Sequence, residues 1–85
     1  MRTIYKYNLW PGYNRIPMPP GSKVLHVGEQ DNIIRIWIEH EIESSCLHVE
    51  RNFHVYETGA MRDDFGNHIG TVQTEDSGVW HVYEK

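Results

Sequence analysis

Residues 47–58 read LHVERNFHVYET, and their apolar side chains recur at every second position. This period of two is typical of a β-strand with one buried and one solvated face. The apolar side comprises Leu47, Val49, Phe53 and Val55, interrupted by Arg51. The polar side comprises Cys46, His48, Glu50, Asn52, His54 and Tyr56. One dry and one wet face together predict an antiparallel sheet.

The same period extends outward from this strand in both directions. Residues 33–40 place Ile34, Ile36 and Ile38 on one face and Arg35 and Trp37 on the other. Their β-branched content favours a strand over a helix. Further strands are predicted at residues 2–9, 23–30, 68–74 and 79–84, the last two forming a hairpin about residues 75–78.

Three segments interrupt the predicted strands. Residues 11–21, PGYNRIPMPPG, hold three prolines within four positions, which excludes a helix. We interpret this segment as a stiff connector, with a short edge strand around Ile16 and Met18 as the alternative. Loops are predicted at residues 58–67 and at residues 41–45, where one short helical turn is the alternative.

These elements predict a single all-β domain over residues 1–85, with six or seven strands. The expected architecture is a small antiparallel sandwich or a partly open barrel. A chain of 85 residues has a thin core, which ten aromatic side chains help to fill. Because a small domain also gains buried surface by association, we expect a dimer.

Composition narrows the range of partners and locations. The formal net charge of −4 argues against nucleic-acid binding, which relies on neutralising phosphates. The absence of a long apolar run argues against a membrane role. The single Cys46 cannot form an internal disulfide, and no signal peptide is recognisable, so we expect an intracellular, reducing location.

Metal binding and catalysis are not favoured by the residue spacing. Cys46, His48 and His54 share one strand face. At ~3.3 Å per residue, however, His48 and His54 would be ~20 Å apart, which is too far to share one zinc ion. No motif marks Cys46 as a nucleophile. We therefore predict no metal, no cofactor and no enzymatic activity.

A polar and aromatic surface is the stronger candidate for function. If residues 33–40 and 47–58 pair as a hairpin, Arg35 and Trp37 lie beside His54 and Tyr56, the side-chain types that concentrate binding energy at interfaces. These four are our predicted partner-binding residues. Trp37 needs covering, either by a partner, by another copy of the chain, or by Trp10 and the Pro-rich segment.

Arg51 is the other unusual residue, because its guanidinium lies among apolar positions. It requires a carboxylate partner such as Glu29, Glu39 or Glu57, or it must extend to the edge of the sheet.

Several motifs resemble a family of small phage and prophage proteins. They are the opening MRTIYKYNL, the central MPPGSKVLHV, the strand containing RIWI, the segment ERNFHVYETG and the closing IGTVQTEDSGVWHVYE. The resemblance covers nearly the whole chain, although residues 41–47 depart from the Val-Asp-Pro-like turn of the family. It implies a phage origin, a role in the infected cell and location in the host cytoplasm, but it implies no reaction.

Three functions remain open from the sequence. The first is a non-enzymatic protein that binds a host protein, for take-over of the host or against its defences. The second is a sequestering protein for a nucleotide signal, with ligand-binding residues Arg51, Thr58, Gly59, Trp80 and His81. The third is a small histidine-dependent hydrolase.

Overall fold

The computed structural model describes residues 1–42, 47–76 and 78–85, and these contain seven β-strands. The strands are β1 (Arg2–Leu9), β2 (Gly12–Met18), β3 (Lys23–Gln30), β4 (Ile33–Glu41), β5 (Val49–Glu57), β6 (Asn67–Thr74) and β7 (Gly78–Glu84). The all-β prediction is confirmed. No described segment is a helix long and apolar enough to cross a membrane. Most of the residues predicted as the 41–45 loop, and Cys46, lie outside the described ranges.

The strands form two sheets that face each other as an open sandwich. One sheet has the order β1-β4-β3 and the other β2-β5-β7-β6, with every pair antiparallel. Alternation along each strand directs the apolar residues inward, where they form one cluster. The buried members are Leu9, Ile16, Met18, Val27, Ile34, Ile36, Ile38, Phe53, Val55, Val72 and Val82.

The Pro-rich segment is a strand, so its prediction as a connector is wrong. Gly12–Met18 pairs along its length with β5 and buries Ile16 and Met18 in the core. β2 lies at the edge of its sheet and has a neighbouring strand on one side only. Proline is tolerated in such an edge strand, because an N–H that faces away from the neighbour is not needed for pairing. The edge-strand alternative holds, and the strand is longer than the sequence indicated.

The predicted hairpin between residues 33–40 and 47–58 does not exist. β4 is the central strand of its sheet and already pairs with β1 and β3, so neither edge is left for β5. β5 instead lies between β2 and β7 in the other sheet. The chain therefore crosses between the sheets after β4, as it also does at Trp10-Pro11 between β1 and β2.

The two sides of the sandwich differ. On one side β3 packs closely on β6, and a Cβ added to Gly70 would lie 3.1 Å from Cβ of Val27. On the other side a cavity separates the first half of β1 from the end of β2. The sandwich is thus closed along β3 and β6 and open along β1 and β2.

Candidate functional site

The outer face of the four-stranded sheet carries a continuous group of aromatic rings. Phe53, Val55 and Val82 point into the core, so the alternating neighbours His54, Tyr56 and Tyr83 point outward. Tyr13 of β2 lies opposite His54, and His68 of β6 lies opposite Tyr83. Phe65, from the loop between β5 and β6, completes the group. We call Tyr13, His54, Tyr56, Phe65, His68 and Tyr83 the aromatic face.

Neighbouring rings of the aromatic face are in contact. The ring centroids of Tyr13 and His54 are 5.0 Å apart, and those of His54 and Tyr56 are 5.8 Å apart with a 12° interplanar angle. Phe65 stacks on Tyr83 at 5.1 Å and meets Tyr56 edge-on at 5.1 Å. Such ring pairs each add about 0.5–1.5 kcal/mol beyond area burial, so these contacts stabilise the arrangement of the rings.

Hydrogen bonds hold the polar side chains beside these rings. His81 Nε2 lies 2.8 Å from Thr58 Oγ1, and His81 Nδ1 lies 3.1 Å from Thr71 Oγ1. The chain continues from Thr71 Oγ1 to His68 Nε2 at 3.0 Å. These bonds connect the end of β5 with β7 and β6 and limit the rotamers available to both imidazoles.

Ion pairs and a cation–π contact flank the aromatic face. Arg15 lies 3.5 Å from Glu50, and Lys85 lies 3.9 Å from Asp64. The Arg62 guanidinium sits 5.2 Å from the centre of the Tyr56 ring, which is a cation–π geometry. Arg15 and Lys85 are therefore committed to carboxylates, whereas nucleic-acid surfaces need several unpaired cations.

A cavity of about 480 Å³ opens between the sheets on the β1 and β2 side. It is lined by Thr3, Tyr5, Tyr7, Pro17, Pro19, Pro20, His40, Glu41, Ile42, Leu47 and His48. The wall therefore combines aromatic rings, prolines and a few polar groups, a composition common in small-molecule sites.

A hydrogen-bonded chain stands behind one wall of this cavity. The Ser22 hydroxyl donates to the Pro19 carbonyl at 2.6 Å, so Ser22 Oγ accepts from His40 Nδ1 at 2.6 Å. His40 Nε2 then carries its lone pair and accepts the Tyr7 hydroxyl at 2.7 Å. Because Ser22 is buried and its proton is held by Pro19, His40 is not placed to activate it as a nucleophile.

Burial sets the protonation of this chain. His40 is only 3% exposed, and this burial, with smaller repulsion from His48 and Arg51, lowers the pKa of its imidazole. Burial likewise raises the pKa of the Tyr7 phenol. Both groups are therefore held neutral, which matches their donor and acceptor roles.

Arg51 pairs with a carboxylate, but this carboxylate is not Glu29, Glu39 or Glu57, the three suggested by the sequence. Its Nε and Nη2 bind the two oxygens of Glu84 at 2.6 and 2.8 Å, and its Nη1 donates to the Ser22 carbonyl. The hydrogen bonds that Arg51 donates to Glu84 raise the pKa of the guanidinium. Glu84 is the last residue of β7. The alternation of side chains along one strand does not show that β7 pairs with β5, so it could not predict this ion pair.

The predicted partner-binding residues fall on two different surfaces. His54 and Tyr56 belong to the aromatic face, whereas Arg35 and Trp37 lie on the outer side of the three-stranded sheet. Trp37 is half-buried against the His26 ring, 5.6 Å between centroids, and not against Trp10 or the Pro-rich strand. The prediction that all four form one surface is wrong, because β4 and β5 belong to different sheets.

The predicted ligand-binding residues are not brought together either. Thr58 and His81 lie on the aromatic side of the four-stranded sheet, whereas Trp80 packs against the core and lines a separate cavity of about 180 Å³. Arg51 is occupied by Glu84, and Gly59 begins a loop with φ of +99°. The described residues contain no group of three or more His, Cys, Asp or Glu side chains that could hold a metal ion.

Sequence reasoning missed several residues of the aromatic face and the cavity. Tyr13 lies in the segment that was interpreted as a connector, and Phe65 lies in a predicted loop, so neither was assigned to a sheet face. Tyr83 was readable, because it alternates with Val82 and so faces outward. Tyr5 and Tyr7 share the inner side of β1 with Leu9, but only the open edge of the sandwich leaves them beside a cavity.

A family model described as a domain of unknown function, DUF7352, matches residues 1–85. The chain belongs to the DUF7352 family. This family spans both sheets, the aromatic face and the cavity, and its description carries no activity. No curated protein and no solved structure is detectably similar to the chain.

Proposed function

We propose that this DUF7352 protein is a non-enzymatic binding protein that recognises another protein through the aromatic face. The observation that carries the proposal is the contiguous set of ring contacts on the solvent side of a sheet whose other side already fills the core. Motifs similar to those of phage proteins support a phage origin, a host protein as the partner and the host cytoplasm as the location.

The chemistry of this face fits a protein better than other partners. Tyr and Arg are enriched at the energetic centres of protein interfaces, and tyrosine loses few rotamers when it is covered. Tyr13 is 57% exposed, and the exposed Arg62 lies over the Tyr56 ring of the same face, so both are accessible to a partner. Paired charges around the rings supply a polar rim with little attraction for phosphates.

A photo-crosslinking experiment tests the proposal. The reactive analogue p-benzoyl-phenylalanine replaces Tyr13 in one variant and Tyr5 in a matched control, because the two tyrosines are almost equally exposed at 57% and 55%. We expect the Tyr13 variant to form an adduct with a distinct second protein, and the Tyr5 variant to form none. Adding His54→Ala to the Tyr13 variant should reduce that adduct about tenfold, as loss of an interface anchor does.

Other outcomes overturn the proposal. Equal adducts from both positions indicate random collision, and adducts with only a second copy of the chain assign the face to self-association. A third variant carries the analogue at Trp37, on the opposite side of a molecule with a shortest extent of 15 Å. A protein adduct from Trp37 in the absence of one from Tyr13 would move the partner surface to the Arg35 and Trp37 side.

A further inference from the structure

The cavity between β1 and β2 is independent of the aromatic face and of the function proposed for it. Its volume of about 480 Å³ falls in the usual range of ~300–1,000 Å³ for small-molecule sites. Tyr5 stands on one side, in edge contact with the His40 ring at 5.2 Å between centroids. The opposite side is formed by Pro19 and Pro20, in the turn that follows β2.

The Tyr7, His40 and Ser22 side chains at the back of this cavity all have hydrogen-bond partners. Tyr7, His40 and Ser22 satisfy one another and the Pro19 carbonyl, and the Arg51 guanidinium holds the Ser22 carbonyl from behind. The wall is therefore rigid, and a ligand gains affinity from a surface that needs little reordering.

Free polar groups are present at the front of the cavity. The hydroxyls of Thr3 and Tyr5 and the imidazole of His48 make no hydrogen bond within the described parts of the chain. Together they offer hydroxyl and imidazole groups that each donate and accept. A ligand with ring nitrogens and exocyclic polar groups can satisfy such a set.

The charges around the cavity restrict the ligand to a neutral molecule. Among the described lining residues there is no lysine or arginine, and the ionised group present is Glu41. The Glu41 carboxylate already binds the N-terminus at 3.1 Å and Arg2 at 2.9 Å. None of the described lining residues compensates a phosphate, so a nucleotide would lose more solvation than it regains.

We infer that this cavity binds a neutral, planar heteroaromatic molecule of about nucleoside size, with its ring between Tyr5 and the Pro19-Pro20 turn. Stacking on Tyr5 supplies affinity, and the Thr3, Tyr5 and His48 polar groups orient the ring edge. A nucleoside fits this description, whereas its phosphorylated form does not.

Titrations followed by NMR test the inference on the full chain, with adenosine and indole as neutral probes and AMP as the anionic one. We expect adenosine to shift the resonances of Tyr5, Tyr7 and His40 saturably. AMP should bind about tenfold more weakly, a difference of about 1.4 kcal/mol. Tyr5→Ala should weaken adenosine binding about tenfold, since stacking contributes ~1–3 kcal/mol per base. The matched control Tyr13→Ala should leave it unchanged.

Three results would overturn the inference. The first is the absence of saturable shifts at these residues with either neutral probe up to about 10 mM. The second is AMP binding at least as tightly as adenosine, which would indicate an anion site. The third is equal weakening by Tyr5→Ala and Tyr13→Ala, which would indicate non-specific stacking on exposed rings. None of these results bears on crosslinking from Tyr13.

Discussion

At the scale of single residues, Arg51 shows how a charge is accommodated beside a thin core. Its side chain is about one-fifth exposed, and so is that of Glu84. The pair is bidentate, and the guanidinium also lies 5.8 Å from the centre of the Phe53 ring. Because Arg51 joins β5 to β7 and to the turn before β3, its contacts are structural rather than available to a ligand.

Replacement of Arg51 should therefore weaken folding. Arg51→Ala leaves the Glu84 carboxylate partly buried without a counter-ion, and we expect a loss of about 2 kcal/mol in the free energy of unfolding, measured in urea. The double variant Arg51→Met/Glu84→Gln removes both charges and should recover to within about 1 kcal/mol of the unmodified chain. An Arg51→Ala variant as stable as the parent would show that the ion pair contributes nothing.

His40 predicts a dependence of stability on pH. Its pKa in the folded protein lies below the ordinary value of 6.5, so between these two values the unfolded chain binds more protons. The contribution of His40 to stability should therefore be constant above about pH 7 and should be lost as the pH decreases through 6.5 towards the folded pKa. The groups around the imidazole are Tyr5, Tyr7, Ser22, His48 and Arg51.

Urea unfolding at about pH 7.5 and about pH 5 measures this dependence. His40→Gln should reduce the loss of stability on acidification, whatever its effect at neutral pH. His26→Gln, a control on the opposite side of the three-stranded sheet, should retain the loss. If His40→Gln and the parent chain lose the same free energy, the imidazole does not carry the effect.

At the scale of elements, the turn between β3 and β4 joins the two sheets. Asp31 and Asn32 have positive φ of 55° and 63°, which suits a tight hairpin. The side chain of Asn32 also reaches the β6–β7 turn. It donates to Asp76 Oδ2 at 2.6 Å and accepts from the Glu75 N–H at 3.0 Å.

Asn32→Gly isolates this connection, because glycine keeps the positive φ and removes only the side chain. We expect a loss of about 1–2 kcal/mol in stability for the missing hydrogen bonds, with faster hydrogen exchange at the Glu75 amide. Asp31→Gly is the matched control in the same turn and should leave that amide unchanged. Equal hydrogen-exchange rates of the Glu75 amide in both variants would mean that the Asn32 side chain does not stabilise the β6–β7 turn.

The Pro-rich segment shows why element prediction failed in one place. Alternation of Ile16 and Met18 was visible, but prolines interrupt the pattern and favour a connector. A proline such as Pro17 is compatible with a strand at the edge of a sheet. Which strand lies at the edge depends on the order of the strands, which the local sequence does not give. For the same reason, the sequence did not predict that Tyr13 belongs to the aromatic face.

At the scale of the whole molecule, the thin sandwich leaves much aromatic surface outside. We expect the isolated protein to form a dimer through the aromatic face, because burying those rings adds apolar area that the small core lacks. Sedimentation equilibrium should show a monomer–dimer equilibrium that Tyr13→Ala weakens and Tyr5→Ala does not. A parent chain that stays monomeric at about several hundred micromolar would contradict this expectation.

Local order along the chain was readable from the sequence, and the arrangement of strands was not. Period-two alternation predicted strands, their buried faces and the all-β class, because each depends on neighbouring residues and on solvent. The assignment of β4 and β5 to different sheets depends on which edges other strands already occupy. That competition involves residues far apart in the chain, and it determined the aromatic face, the Arg51–Glu84 pair and the open-edge cavity.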